Sequence, residues 1–137
     1  MKVVLDTNIL LQSLSRKSQL RAIWESFLNE KITLIVSNSV LLEYEEIIGM
    51  KTSQNVAFNI ISLIKEVVNT ELVEGWYEWN AITFDADDNK FFDTAIAGRA
   101  DYIVTNDAHF NVVSNIEFPI MNIISAEKFL HLITAQQ

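Results

Sequence analysis

No cysteine occurs among the 137 residues of the chain. Disulfides, thiolate metal sites and a cysteine nucleophile are therefore excluded, although this absence alone does not fix a compartment. Histidine is nearly absent too. His109 and His131 are too few for a histidine-rich zinc centre. One proline and three glycines disfavour a turn-rich all-β barrel and favour long helices. Positive charge is scarce: 10 lysines and arginines stand against 18 aspartates and glutamates, a net charge of -8. Such a surface does not draw in a polyanion by long-range attraction. If the substrate is nucleic acid, a divalent cation is the obvious source of positive charge at the site. Long apolar runs are missing as well. The opening Val3-Val4-Leu5 meets Asp6 and is too short for a signal peptide, and no stretch reaches the roughly 18 apolar residues that cross a bilayer. A soluble cytoplasmic protein with no membrane association is the expectation.

What is present is apolar enough, at 50% hydrophobic residues, to bury a real core. Val3–Leu5, Ile32–Val36 and Tyr102–Val104 read as short buried strands, with Ile120–Ile124 as a late one. Leu20, Ile23, Trp24, Phe27 and Leu28 recur at helical spacing and predict a helix over Ser18–Glu30. Ser37 or Ser39 caps the next, which passes through Tyr44 and Ile48 and stops near Gly49. Val56–Val68 reads as a largely buried helix, and Glu74–Thr83 as a strand. Asn89–Arg99 follows an acidic loop or cap at Asp85–Asp88, and Ala126–Ile133 closes the chain. Thr7 or Asn8 is the expected cap where the first strand passes into helix. The alternation predicts an α/β fold, a parallel sheet covered on both faces, in one domain over 1–137.

The acids are placed tellingly. Asp6 follows the first strand, Asp107 follows Tyr102–Val104, and Asp88 opens the helix that leads into that strand. Glu43 lies about a turn and a half into the helix after the second strand. Ligands of open α/β sheets bind beyond the carboxyl ends of the strands, so Asp6 and Asp107 belong at one edge with Asp88 facing it. Carboxylates gathered in a cleft repel, and one of them takes up a proton unless a cation intervenes. Oxygen donors point to Mg²⁺ or Mn²⁺ rather than Zn²⁺. Such an ion lowers the pKa of a bound water and neutralises charge on a phosphodiester.

Four segments then resemble, in order and spacing, the motifs of PIN-domain ribonucleases. They are Val4-Leu5-Asp6-Thr7-Asn8-Ile9-Leu10, the run Ser37 to Tyr44 with Glu43, Asp87-Asp88-Asn89-Lys90-Phe91-Phe92-Asp93-Thr94-Ala95, and Ala100-Asp101-Tyr102-Ile103-Val104-Thr105-Asn106-Asp107. They span almost the whole chain, and the nearest likeness is to small bacterial toxins of the VapC type. The resemblance implies a three-layer α/β/α sandwich around a central parallel sheet of four or five strands. It implies Mg²⁺- or Mn²⁺-dependent hydrolysis of single-stranded RNA, leaving a 5′-phosphate. Asp6, Glu43, Asp88 and Asp107 match the metal-site and catalytic acids, Asn8 and Thr105 the polar residues that support them, and Asp93 a further acid of the family. An antitoxin that blocks the acidic cleft and a homodimer are the implied partners, although no residues mark an interface.

Each of these residues also has a plainer role open to it. Asp6 alone serves as an N-cap, and Asp87 replaces Asp88 if the helix starts one residue differently. Glu45 and Glu46 read as a solvated face. Asp93 lies about 140° round the helix from Asp88 and cannot share its face. Asp101 reads as a turn residue, His109 as a surface or packing histidine, and His131 as structural. Trp76, Tyr77 and Trp79 read as packing rather than as base-stacking groups, and Arg16, Lys17, Lys90 and Arg99 are too scattered for a basic groove. Two rival functions remain. One is a Mg²⁺-dependent phosphatase-like enzyme or phosphoacceptor with a strand-end aspartate nucleophile. The phosphatases place a second aspartate where Asn8 stands, and both types place a lysine after a later strand, where none follows Val104. The other is a non-catalytic module of the same fold that binds RNA or a partner protein.

Overall fold

The computed structural model describes residues 1–74, 88–115 and 119–135. Five strands, β1 (Lys2–Leu5), β2 (Thr33–Val36), β3 (Thr70–Leu72), β4 (Tyr102–Val104) and β5 (Ile123–Ile124), form one sheet. Their order is β3-β2-β1-β4-β5, and every neighbouring pair is parallel. Val3, Val4, Leu5, Leu34, Ile35, Ile103 and Val104 are fully buried. The cores of β1, β2 and β4 read as apolar runs because helices cover both faces of the sheet.

Parallel neighbours require crossovers, and helices supply them. α1 (Thr7–Leu14) and α2 (Arg21–Leu28) join β1 to β2, while α3 (Asn38–Lys51) and α4 (Gln54–Glu66) join β2 to β3. α5 (Asn89–Gly98) leads into β4, and a 3₁₀ helix (Ala108–Asn115) and α6 (Ala126–Ala135) flank β5. The result is a three-layer α/β/α sandwich, with Phe27, Tyr44, Phe91, Phe92, Phe110 and Phe129 among its largest buried side chains. α5 rests on β1, β2 and β4. A β-carbon at Gly98 would lie 2.4 Å from Ile35 Cγ2, so close approach to the sheet demands glycine there. The helix then ends at Arg99, in the left-handed region at φ 54°.

Strand order places the site. From β1 the chain builds outward to β2 and β3, then returns to add β4 and β5 on the other side. The switch falls between β1 and β4, where doubly wound sheets open a crevice at their carboxyl ends. Leu5 pairs with Val104, and the Asp6 N–H donates to the Val104 carbonyl at 3.0 Å. Residues 6 and 105 therefore leave the sheet side by side.

Several expectations need correction. Asp6, not Thr7 or Asn8, holds the N-cap position of α1. α2 is shorter than the expected Ser18–Glu30. α3 runs through Gly49 to Lys51 and is closed by Thr52, whose Oγ1 donates to the Ile48 carbonyl at 2.6 Å. α4 buries only Ala57, Ile61 and Ile64, while Phe58 is 68% exposed. β3 was not anticipated, nor was the 3₁₀ helix. Glu74 lies just past β3 and outside any strand. The rest of the expected Glu74–Thr83 strand, with Trp76, Tyr77 and Trp79, lies outside the described residues, as does Asp87. Among the described residues no helix is long and apolar enough to cross a membrane.

Candidate metal centre

Asp6 emerges from β1 at the switch point and is 8% exposed. Its carboxylate does not cap α1. Oδ2 instead accepts a hydrogen bond from Thr105 Oγ1, at 2.8 Å, across the sheet from the end of β4. The same hydroxyl accepts from the Asp107 N–H at 3.0 Å. Thr105 thus uses one donor and one acceptor to tie two acids together. Burial raises the Asp6 pKa above its ordinary 3.8, and the charges of Asp107 and Glu43 add to the rise. Hydrogen bonds from Thr105 and the Thr7 main chain oppose it.

Asp107 carries the cluster outward. Its Oδ1 accepts from the His109 N–H at 2.9 Å, which folds the chain back on itself. His109 Nδ1 lies 3.6 Å from Asp107 Oδ1 and 3.4 Å from Asp88 Oδ2. Asp88 occupies the N-cap position of α5 without capping it, and is buried. Ligand atoms of Asp88, Asp107 and His109 all lie within 4.8 Å of one another.

Glu43 reaches the cleft from α3. One carboxylate oxygen accepts from Thr7 Oγ1, and the other pairs with Lys90 Nζ at 2.9 Å. The next residue anchors this helix: the Tyr44 hydroxyl donates to the Leu5 carbonyl at 2.5 Å, one residue before Asp6. Burial, reinforced by the charges of Asp6 and Glu43, raises the Tyr44 pKa well above 10.0, so the phenol stays a donor. Ser37 caps α3 at the Val40 N–H and accepts from Thr94 Oγ1 at 2.8 Å. This bond joins the helix of Glu43 to the helix that Asp88 opens.

The predicted acids thus meet in a chain of neighbours. Glu43 and Asp107 both act electrostatically on Asp6, and Asp107 stands with Asp88. Thr105 touches two of them. Asn8 is exposed on the first turn of α1, and Asp93 is half-buried on α5. Asp101 lies at the far end of β4, where its Oδ2 accepts from the Lys2 N–H at 2.8 Å. Three contacts were missed. Thr7 was read only as a cap, Lys90 as a scattered cation, and His109 as a surface group. For His109 the available signal was its spacing, two residues past Asp107, at which a tight turn brings the side chains together.

A buried acid whose pKa is raised by desolvation and by neighbouring carboxylates forms a receptive site for a cation. The donors are carboxylates and one imidazole, with no thiolate. That set fits a hard or borderline divalent ion.

A family model described as PIN domain matches residues 2–109. No curated protein sequence matches the chain. Solved structures do. VapBC2 from Rickettsia felis, bound to a DNA fragment from its promoter, superposes with a TM-score of 0.62 at 18% identity, covering 91% of this chain and 98% of that one. VapBC-1 from nontypeable Haemophilus influenzae gives 0.63 at 16% identity, with 93% and 99% covered. The PIN domain endonuclease Utp24 gives 0.52 at 21% identity, with 90% and 84% covered. At these identities the superpositions establish the fold.

Proposed function

The chain belongs to the PIN domain family, and from that membership we propose that it is a Mg²⁺- or Mn²⁺-dependent endoribonuclease that hydrolyses single-stranded RNA. The observation that carries this is the meeting of Asp6, Glu43, Asp88 and Asp107 at the β1/β4 switch point, from four separate segments of the chain. These four are assigned as the residues that hold the ion. When bound, a divalent cation makes a coordinated water more acidic and offsets charge on the phosphate. Water attacks phosphorus in line, the bond to the 3′ oxygen breaks, and the downstream fragment keeps the phosphate at its 5′ end.

The chain's own groups set the geometry. Thr105 holds the Asp6 carboxylate in one orientation. Thr7 and Lys90 hold the two oxygens of Glu43. Tyr44 fixes the height of α3 against the end of β1. Asn8 and Asp93 are assigned supporting roles.

The likeness to VapC-type proteins, among neighbours solved as VapBC and FitAB assemblies, supports a toxin held in check by an antitoxin. With a net charge of -8, the partner segment that enters the cleft is basic. Pairing with a second copy belongs to the same proposal and is read by sedimentation. The decisive experiment is cleavage of single-stranded RNA with Mg²⁺ or Mn²⁺. EDTA abolishes the activity, and Asp6→Asn or Asp88→Asn lowers it by about 10²–10³-fold, as for loss of one charge-stabilising group. Cleavage that survives both treatments ends the proposal.

A further inference from the structure

We propose that His109 is a nitrogen ligand of the metal site, entering through Nδ1 beside Asp88 and Asp107, and that it biases the site toward transition-metal ions such as Mn²⁺ over Mg²⁺. This rests on the metal-dependent reading above. Two distances argue for it. Nδ1 lies 3.4 Å from Asp88 Oδ2 and 3.6 Å from Asp107 Oδ1. Nδ1 therefore faces both carboxylates at once. Octahedral bonds of about 2.1 Å place adjacent ligand atoms about 3.0 Å apart and opposite ones about 4.2 Å apart. The two separations from Nδ1 fall inside that range, and all three ligand atoms lie within 4.8 Å of one another.

The turn that carries the ring is also held in place. The His109 main-chain N–H is fastened to Asp107 Oδ1. The next residue, Phe110, is fully buried and packs edge-on against Phe91, with ring centroids 6.5 Å apart. Phe91 sits in the first turn of α5, three residues after Asp88. The aromatic pair therefore ties the turn of His109 to the helix end that carries Asp88. The imidazole itself is 46% exposed, so an ion reaches it without unfolding. Imidazole suits transition metals, whereas Mg²⁺ keeps oxygen donors and water.

The test uses the full chain loaded with Mn²⁺. Pulsed EPR of the wild type shows ¹⁴N coupling to the ion, and His109→Ala removes it while His131→Ala does not. Calorimetry gives an Mn²⁺ affinity about tenfold weaker in His109→Ala, with Mg²⁺ affinity changed by less than about twofold. An unchanged melting curve without metal shows that the variant folds. Mn²⁺ bound by the wild type without nitrogen coupling overturns the His109 assignment alone, as does an equal loss for both ions. A wild type that binds neither ion overturns the nuclease proposal with it.

Discussion

On one flank of the cleft, Asp6 and Thr105 leave the ends of two adjacent strands, almost wholly buried, and a hydroxyl–carboxylate bond of 2.8 Å joins them. On the other, Asp107 and His109 occupy a turn at the head of a 3₁₀ helix, with side chains 36% and 46% exposed. Sheet register dictates the first flank, because Leu5 and Val104 are paired. Local turn chemistry and one aromatic contact set the second. The buried flank is hydrogen-bonded across the sheet, and its charge is costly to desolvate. The exposed flank avoids most of that cost and leaves its side chains open to solvent.

Thr105 touches both flanks, so its loss has the largest effect. Thr105→Val keeps the shape but removes the hydroxyl that orients Asp6 and holds Asp107. Metal affinity or RNA cleavage falls by about 10–100-fold, as for other groups that orient metal ligands. A loss below about threefold would show that the sheet alone orients Asp6. Gly98→Ala comes next. The added methyl meets Ile35 Cγ2 on β2, and urea denaturation shows a loss of about 1–3 kcal/mol from overpacking. An unchanged midpoint would mean that α5 lifts from the sheet freely.

Asp6→Asn has the smallest effect on stability, and its sign sharpens the contrast. The folded state holds the Asp6 proton more tightly than the unfolded chain does. Its contribution to stability is complete below 3.8 and is lost as pH rises through the raised folded value. The asparagine variant lacks that loss. In EDTA, denaturation across this range shows a shallower decline with pH for Asp6→Asn than for wild type. Identical slopes would remove burial as the source of the shift.

The buried flank was legible in the sequence because strands covered on both faces are written as plain apolar runs. Val3–Leu5 and Tyr102–Val104 stand out, and Asp6 and Thr105 follow them at once. β3 was not legible. Its Thr-Glu-Leu at the sheet edge is at best half-buried and carries no apolar signature. Gly49 looked like a helix stop, yet the α3 cap falls at Thr52, where a side chain satisfies the last turn. α4 looked buried because its apolar residues are many, but Phe58 and Val56 face outward. The exposed flank was the least legible part of the site. A histidine two residues past an aspartate is a weak signal, because it brings the side chains together only if the chain turns there.

The bond between Thr105 and Asp6 joins residues 99 positions apart. A nascent chain carries β1 long before it carries β4, so Asp6 then lacks both the Val104 carbonyl and the Thr105 hydroxyl. Contacts this distant in sequence form late. If this fold cuts RNA, its site is not assembled until the chain has been made through Thr105.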